Sequence, residues 1–257
     1  MTSENLTRIQ SVDRAAQILR LLSESPLLTI AEIARELDVH RSTAFRLLGT
    51  LEAHGLVEQE RERGAFRLGI TLLHMANSVA AQMDFSKDAQ ACCDALALEL
   101  QETVNVAILD DGYAVTIIQA ADDQMLSVSH QYVGQRGPLH ATSTGKILLA
   151  HADQDEFDRL VERGLDSFTG MTMTDPEVLR SELETIRHRS WASAVAEWEQ
   201  GINALAVPVR GKDGQVAAAL SITGPSFRLP ESRFAELAET LKREARTLEV
   251  RMGYFGG

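Results

Sequence analysis

Three amphipathic helices are predicted one after another at the start of the chain, and they constrain its fold more than any other feature. Within each, apolar residues recur at positions i, i+3, i+4 and i+7, so they form one stripe along one helix face. The stripes are Ala15, Ile18, Leu19 and Leu22; Ile30, Ile33, Ala34 and Leu37; and Ala44, Leu47, Leu48 and Leu51. Three such stripes can enclose a small core, which predicts a compact trihelical unit.

Residues that start and stop helices stand between the stripes. Ser25-Pro26 ends the first helix, because proline disfavours helical geometry in the residue before it. Thr29 and Glu32 have the spacing of a capping box, which predicts the start of the second helix. Gly55 supplies the stop after the third helix. The breaks therefore lie where a trihelical unit requires them.

Two short predicted strands follow the third helix. They cover residues 56–59 and 65–68, and Gly64 provides the turn geometry between them. The hairpin carries three arginines, Arg61, Arg63 and Arg67. A hairpin placed after three short helices is typical of a winged helix-turn-helix, in which the hairpin is the wing.

The third helix carries polar and cationic residues away from its apolar stripe. These residues are His40, Arg41, Ser42, Thr43 and Arg46. Helix-turn-helix proteins place the start of this helix against base edges in the major groove. Arginine can hold guanine with two hydrogen bonds, hydroxyls reach phosphates or bases, and free N–H groups at a helix start favour a phosphate. The pattern predicts DNA binding, with the wing arginines on the backbone or minor groove. The alternative is a trihelical interaction domain whose arginines are only a solvated face.

The net charge of −12 is distributed unevenly along the chain. Residues 1–70 hold nine arginines and no lysine against ten acidic residues, a net charge of −1. The remaining residues hold sixteen cations against twenty-seven acids, a net charge of −11. The acidic load therefore lies outside the predicted DNA-binding part. This predicts binding through a local patch, with an affinity that falls as salt rises.

Membrane and secreted classes are disfavoured by the composition. The sequence has no run of about 18 apolar residues that would span a membrane, and residues 1–10 lack the apolar core of a signal peptide. Cys92 and Cys93 are adjacent, and neighbouring cysteines rarely pair. We expect at least one of them in a helix core, with a redox sensor as the alternative. The expectation is a reduced, cytoplasmic protein without a metal or cofactor.

Motifs of common enzyme classes are missing from the sequence. No G-x-S-x-G or H-E-x-x-H occurs. Gly145-Lys146 does not end a P-loop, because His140 stands at the first glycine position and Ile147 at the Ser/Thr position. His140 beside Ser143 could imitate a base and a nucleophile, but no third member or oxyanion site accompanies them. We therefore expect no enzymatic activity.

Hairpins and helices alternate in the rest of the chain. Strand patterns at 103–109 and 113–119 flank a turn at residues 110–112, and a third strand is predicted at 124–131. Further strands are predicted at 192–195, 204–209 and 215–223, and helices at 91–100, 143–151, 153–163, 175–189 and 231–250. Hairpins with a few helices favour an α+β fold with an antiparallel sheet over a doubly wound one.

A helix-compatible segment, residues 70–86, connects the two parts. Its apolar residues spread around more than one helix face, which suits burial against a second copy of the chain. The alternative is a plain domain-bridging helix. The predicted organisation is a winged helix-turn-helix domain at 1–69, a linker helix at 70–86 and an effector-binding and oligomerisation domain at 87–257.

Several sequence blocks resemble the signatures of IclR-type bacterial transcription regulators. They are Ser11–Ala15, Arg41–Leu48 and Phe66–Gly69 in the N-terminal part, and Pro138–Thr142 with Gly145-Lys146 and Ala219–Pro225 in the C-terminal part. The resemblance implies a homodimer that binds double-stranded operator DNA, and a C-terminal domain similar to the GAF ligand-sensing fold. It also implies dimerisation near residues 70–86 and, in many members, pairing of dimers into tetramers. Repression is the more common mode of control in the family.

The resemblance further implies an effector pocket in the C-terminal part. Family pockets are built at the positions matching Ser143, Thr144, Ala204, Ser221 and Thr223, beside third-strand residues that would be Leu126, Val128 and His130. The residues themselves support an anion seat. A helix that begins near Ser143 attracts an anion, and Ser221 and Thr223 point to one face of a strand. The alternative is that these hydroxyls are only caps or half-buried strand residues. Family effectors are commonly small organic or aromatic acids.

The chain departs from the family pattern at the pocket and in the helix turn. An acid that often lines the pocket is Ala194 here, and Trp198 adds bulk nearby, which predicts a more apolar, aromatic acid as effector. Asp38 and His40 stand where glycine and proline or serine are common, and Asp tolerates the left-handed geometry of the turn. We predict an effector-controlled DNA-binding repressor. The alternative is a ligand-sensing module that docks a protein partner instead of DNA.

Overall fold

The computed structural model describes residues 9–60, 64–81, 86–121, 132–251 and 253–254. The chain divides into two compact units between Gln82 and Met83. We call Met1–Gln82 the N-terminal unit and Met83–Gly257 the C-terminal unit. No helix in the described residues is both long enough and apolar enough to cross a membrane.

The N-terminal unit combines short helices with a small antiparallel sheet. In chain order its elements are α1 (Gln10–Glu24), β1 (Leu28–Thr29), α2 (Ile30–Glu36), α3 (Arg41–Ala53), β2 (Val57–Gln59), β3 (Ala65–Leu68) and α4 (Thr71–Ala81). The strand order is β1-β3-β2, with both pairings antiparallel. This arrangement confirms the predicted winged helix-turn-helix and adds the two-residue strand β1 to the predicted hairpin.

The predicted apolar stripes form the core of the N-terminal unit. Ile18, Ile33, Ala44 and Leu48 are completely buried, and the other stripe residues belong to the same cluster or pack against it. Burial of one stripe per helix fixes the rotation of each helix about its axis. It therefore determines which residues of α3 face outward.

Local geometry at the ends of these helices also agrees with the sequence. The backbone N–H of Thr29 donates to the Glu32 carboxylate at 2.8 Å, and the backbone N–H of Glu32 donates to the Thr29 hydroxyl at 3.4 Å, which completes the capping box. Asp38 adopts a φ of +50° in the turn before α3, and Gly55 adopts a φ of +67° after it. Both are left-handed positions, as the turn and the helix stop require.

The C-terminal unit is built on one antiparallel sheet. In chain order its elements are α5 (Ser86–Leu100), β4 (Thr103–Asp110), β5 (Tyr113–Ala120), β6 (Arg136–Pro138), α6 (Ser143–His151), α7 (Gln154–Arg163), α8 (Pro176–Arg189), β7 (Ala192–Val195), β8 (Ile202–Arg210), β9 (Val216–Pro225), a 3-10 turn (Glu231–Arg233) and α9 (Phe234–Arg251). The described strands lie in the order β6-β5-β4-β9-β8-β7, and each pairing is antiparallel. This confirms the predicted α+β class.

Both faces of the sheet are covered, and the two coverings separate the apolar residues into two clusters. One cluster combines α5 and α9 with alternate strand residues, among them Leu220 and Ile222 of β9. The other combines α6, α7 and α8 with the opposite face, which includes Ala219. Since side chains alternate along a strand, Ser221 and Thr223 must lie on the α6 side of the sheet.

Several predicted boundaries differ from the structure. Helix α5 begins at Ser86, five residues before the predicted start at Ala91, and the predicted linker helix at 70–86 consists of α4 followed by the first residue of α5, with residues 82–85 outside the described chain. The closing helix starts as a 3-10 turn, and β6 was not predicted. The predicted third strand at 124–131 lies outside the described residues.

Candidate functional site

The outward face of α3 carries polar and cationic residues. Arg41, Ser42 and Arg46 are exposed, and Thr43 is half-buried. The opposite face is buried through Ala44, Leu48 and Leu51, which leaves no freedom to turn the arginines inward. The structure thus places the predicted reading residues on one surface at the start of α3.

The N-terminus of α3 lies open on the same surface. His40 occupies the N-cap position, and within the described part of the chain its side chain makes no capping hydrogen bond. The His40 Nδ1 instead lies 3.5 Å from the Ser42 hydroxyl. The first N–H groups of a helix have no partner inside the helix, so an anion such as a phosphate fits this position.

The wing contributes one described arginine. Arg67 is exposed on β3 and donates to the Glu58 carboxylate across the hairpin at 2.6 Å. Both side chains are about half exposed, so the pair is weak and can open toward a phosphate. Arg61 and Arg63, also predicted to contact DNA, lie outside the described residues.

A cavity in the C-terminal unit brings together the other predicted site residues. Ser143 and Thr144 line it from the start of α6, Ala194 from β7, and Ala204, Ser221 and Thr223 from β8 and β9. Its free volume is about 40 Å³, which is room for about three water-sized groups. Leu126, Val128 and His130, the remaining predicted pocket residues, lie outside the described residues.

Strand register accounts for the polar floor of this cavity. Ser221 lies opposite Asn105 of β4, and its hydroxyl donates to the Asn105 side-chain carbonyl at 2.7 Å. Thr223 lies opposite Ala204 of β8. Asn105, Ser221 and Thr223 are all buried. The sheet therefore presents a row of fixed polar groups beneath the start of α6.

The start of α6 forms one wall of the cavity. Thr142 caps the helix by accepting from the backbone N–H of Gly145 at 3.0 Å, and its own hydroxyl donates to the Pro138 carbonyl at 2.8 Å. Ser143 and Thr144, which follow the cap, line the cavity. The residue that caps α6 is therefore Thr142, while Ser143 and Thr144 form part of the cavity wall.

The segment between β7 and β8, with the first residue of β8, forms another wall. Trp198 was expected near the pocket, whereas Glu199 and Ile202 were not predicted to line it. Trp198, Glu199 and Ile202 line the cavity from this side. The prediction of a more apolar pocket rested on Ala194 and Trp198, and both line the cavity, while Glu199 adds a carboxylate to the same wall. Asn105 and Thr116 were also missed, although a polar residue inside an apolar strand was a usable signal.

A buried ion pair fixes this second wall to α6. Lys146 is 1% exposed, and its Nζ donates to both carboxylate oxygens of Glu197 at 2.8 Å. The Glu197 carboxylate also accepts the backbone N–H of Val195 at 3.2 Å. Burial raises the pKa of Glu197, and the neighbouring Lys146 charge opposes that rise. The charge of Lys146 is thus neutralised within the protein.

Two hydroxyls hold the backbone of the same wall. Thr169 donates to the Ala196 carbonyl at 2.7 Å, and Thr172 donates to the Glu197 carbonyl at 2.6 Å. Ala196 adopts a left-handed φ of +52°, a conformation that is uncommon for residues other than glycine. These contacts and the ion pair set the position of Trp198 and Glu199.

Groups considered for catalysis or redox chemistry have structural roles. The His140 Nε2 lies 2.9 Å from the Asp166 carbonyl and faces that carbonyl instead of acting as a base on Ser143. Cys93 is buried in the core, and burial raises the pKa of Cys92 to about 11, which makes a reactive thiolate unfavourable. In the described residues, no group of three or more His, Cys, Asp or Glu side chains is placed to hold a metal ion.

Comparison with known proteins identifies the family. Residues 11–61 match the IclR helix-turn-helix domain, and residues 77–250 match the C-terminal region of the bacterial transcriptional regulator IclR. The HTH-type transcriptional regulator XynR of Escherichia coli K12 is 33% identical over 248 residues, covering 96% of this chain and 98% of XynR. The HTH-type transcriptional repressor AllR of the same organism is 32% identical over 246 residues, covering 95% of this chain and 90% of AllR.

A solved structure shares the fold of both units. The crystal structure of an IclR homolog from Microbacterium hydrocarbonoxydans, complexed with 4-hydroxybenzoate, aligns with a TM-score of 0.83 at 25% identity, covering 94% of this chain and 98% of that one. The matched families and relatives are transcriptional regulators and not enzymes, which confirms the expectation drawn from the missing enzyme motifs. The chain belongs to the IclR family of bacterial transcriptional regulators.

Proposed function

We propose that the protein is a repressor that binds an operator through α3 and whose operator affinity is controlled by a small organic acid. The observation that carries the proposal is the outward face of α3, where Arg41, Ser42 and Arg46 surround an open helix start. The sign of control follows the relative AllR, which is named a repressor.

A homodimer is the form expected to bind the operator. Apolar side chains of α4 and the residue before it are exposed, among them Ile70, Leu73 and Met75 at 52–67%. A second copy of the chain would cover them. Such a dimer would present two α3 helices to successive major grooves, roughly 34 Å apart. Sedimentation at micromolar concentration measures this assembly, and it also distinguishes a dimer from the tetramer that the family leads us to expect.

The acid is proposed to bind with its carboxylate against the start of α6. The hydroxyls of Ser143 and Thr144 and the N–H groups of the first turn would hold it, and the helix dipole favours a negative charge there. Lys146 is not available as a counter-charge, because its ammonium is bonded to Glu197. The described lining contains no lysine or arginine, so recognition would use neutral donors.

The Glu199 side chain favours an effector that carries a hydrogen-bond donor at the end away from the effector's own carboxylate. A carboxylate on the wall repels a second carboxylate but accepts a hydroxyl. Hydroxylated aromatic acids have this arrangement, and the Microbacterium homolog was crystallised with one of them, 4-hydroxybenzoate. The small free volume requires the wall to move for a ring to enter, and Trp198 is the bulky residue of that wall.

Control of the operator follows from linkage between the two ligands. If the acid lowers operator affinity by some factor, the operator must lower acid affinity by the same factor. Titration of the acid with and without a saturating operator measures the acid affinity of the operator-bound and of the free protein. Equal acid affinities in the two titrations would refute control by the acid.

A gel-shift series tests the DNA-binding half of the proposal. Fragments from upstream of the protein's own operon are expected to shift in a salt-sensitive manner. Arg46→Ala should weaken binding roughly 5- to 150-fold, since a lost guanine contact costs about 1–3 kcal/mol, with an unchanged melting temperature. Arg20→Ala, an exposed arginine of α1, is the matched control. If no fragment shifts at any salt concentration, the alternative of a protein-docking module is favoured.

Calorimetry tests the effector half. Aliphatic and aromatic acids are titrated side by side, and a hydroxylated aromatic acid is expected to bind more tightly than a glyoxylate-like acid. Thr223→Val should weaken acid binding while leaving operator binding intact, whereas Thr247→Val on α9 is the matched control. Acid binding that is unchanged in Thr223→Val would remove this residue from the site, and a preference for glyoxylate-like acids would refute the aromatic effector.

A further inference from the structure

The outward face of α3, which carries the residues proposed to contact DNA, also carries an apolar residue that does not pack in the core. Phe45 is 62% exposed, although α3 already buries Ala44, Leu48 and Leu51 in the core of the unit. Exposure of a large aromatic ring to water has no stabilising role in the folded chain. Phe45 would therefore be explained by a contact with a group that the described residues do not supply.

Phe45 lies among the residues proposed to contact DNA. Consecutive helix positions are separated by about 100°, so Arg41, Phe45, Gly49, Ser42 and Arg46 fall within an arc of roughly 140°. Arg41, Ser42 and Phe45 also line one shallow groove, together with residues 29–31 and Gly64 of the wing. Any group that meets the two arginines would meet the ring between them.

Gly49 lies one turn beyond Phe45 and leaves space beside the ring. Among the described residues, a β-carbon added at Gly49 would meet nothing within 4 Å, so no contact with them requires glycine at this position. Glycine inside a helix is less stable than alanine. A close approach by an external group gives a reason for its presence, because glycine permits such an approach.

We propose that Phe45 and Gly49 form an apolar notch that receives the C5-methyl group of a thymine in the major groove. The proposal rests on the proposed operator binding and names the base that this part of the helix reads. Thymine is distinguished in the major groove by its methyl group, and apolar side chains such as phenylalanine contact it. The flanking arginines supply the charge complementarity that brings a nucleic acid to the notch.

Substitution of uracil for thymine tests the contact, because it removes the methyl group and leaves the pairing hydrogen bonds intact. Operators are first selected from random duplexes with the wild-type protein. Each thymine of a half-site is then replaced in turn by deoxyuridine. One position per half-site is expected to weaken wild-type binding about fourfold, the loss that follows from one buried methyl group.

Two variants connect that effect to the notch. In Phe45→Ala the same deoxyuridine change should have no effect, whereas Phe45→Leu, which keeps an apolar contact, should retain part of it. Gly49→Ala should raise the melting temperature by a few degrees, since alanine favours helix, and yet weaken operator binding about tenfold or more. A purely structural role for Gly49 would not combine higher stability with weaker binding.

The outcomes separate this inference from the proposed function. If no operator is selected, operator binding itself is refuted. If operators are bound but no thymine is sensitive, or the sensitivity persists in Phe45→Ala, only the thymine contact is refuted. A Phe45→Ala variant that changes the oligomeric state in sedimentation would show that the ring contacts a second copy of the chain, which also overturns the inference.

Discussion

The buried pair between Lys146 and Glu197 leads to the most demanding stability prediction. The two side chains are 1% and 7% exposed, and both carboxylate oxygens of Glu197 accept from the Lys146 ammonium at 2.8 Å. Lys146→Met keeps most of the side-chain volume but leaves a buried carboxylate without its counter-charge. Breaking a buried pair in this way costs about 3–5 kcal/mol, which is a large part of the stability of an ordinary domain.

The loss should depend on pH in a defined direction. Burial already raises the pKa of Glu197, and removal of the opposing Lys146 charge raises that pKa further. The folded variant then binds a proton more tightly than the unfolded chain does. Its stability is retained below the ordinary pKa of a glutamic acid and falls as pH rises toward the folded pKa, by at most about 1.4 kcal/mol per pH unit. We expect a larger deficit at pH 8 than at pH 5.

Urea unfolding followed by tryptophan fluorescence measures this deficit. Both tryptophans of the chain, Trp191 and Trp198, lie in the C-terminal unit, so the signal reports that unit. The matched control is Lys146→Met combined with Glu197→Gln, in which the amide can still accept the Val195 N–H and no carboxyl titrates. It should recover most of the stability and lose the added pH dependence. A Lys146→Met variant within about 1 kcal/mol of the wild type at both pH values would refute the reasoning.

Three further changes have defined outcomes. Gly69→Ala should destabilise the N-terminal unit by about 3 kcal/mol or more, because the new β-carbon would clash with the backbone carbonyl oxygen of Gly55; thermal melts followed by circular dichroism check this. Thr29→Ala should cost about 1 kcal/mol through loss of the α2 cap, and a melt indistinguishable from the wild type would contradict it. Iodoacetamide should label Cys92 slowly in the native protein at pH 8, because its pKa is raised to about 11; labelling as fast as in urea would disprove the burial argument.

Local patterns in the sequence predicted the N-terminal unit well. The stripes of α1, α2 and α3 depend only on spacings within each helix, and the capping box of Thr29 depends on a neighbour three residues away. Strand β1 was not predicted, because a strand of two residues is too short to show an alternating pattern of apolar and polar residues. It exists only because Leu28 meets Phe66 on the hairpin, a contact between distant residues.

Long-range contacts limited the prediction of the cavity. The family resemblance named Ser143, Ser221 and Thr223, and they meet because α6 packs against β9, the strand that carries the two other hydroxyls. No local pattern could pair Lys146 with Glu197, which lie 51 residues apart. The same holds for the wall position of Glu199, since that position depends on hydroxyls and on the ion pair supplied by other segments.

Helix α6 has a consequence for how new specificities can arise in such a protein. Seven of its nine residues are buried, so it has almost no surface on which a mutation is tolerated. The connection between β7 and β8 is more open, because Trp198 and Glu199 are only partly buried, as is Ile202 at the start of β8. Evolution toward a different inducer should therefore proceed through substitutions on that connection, while the sequence of α6 stays unchanged.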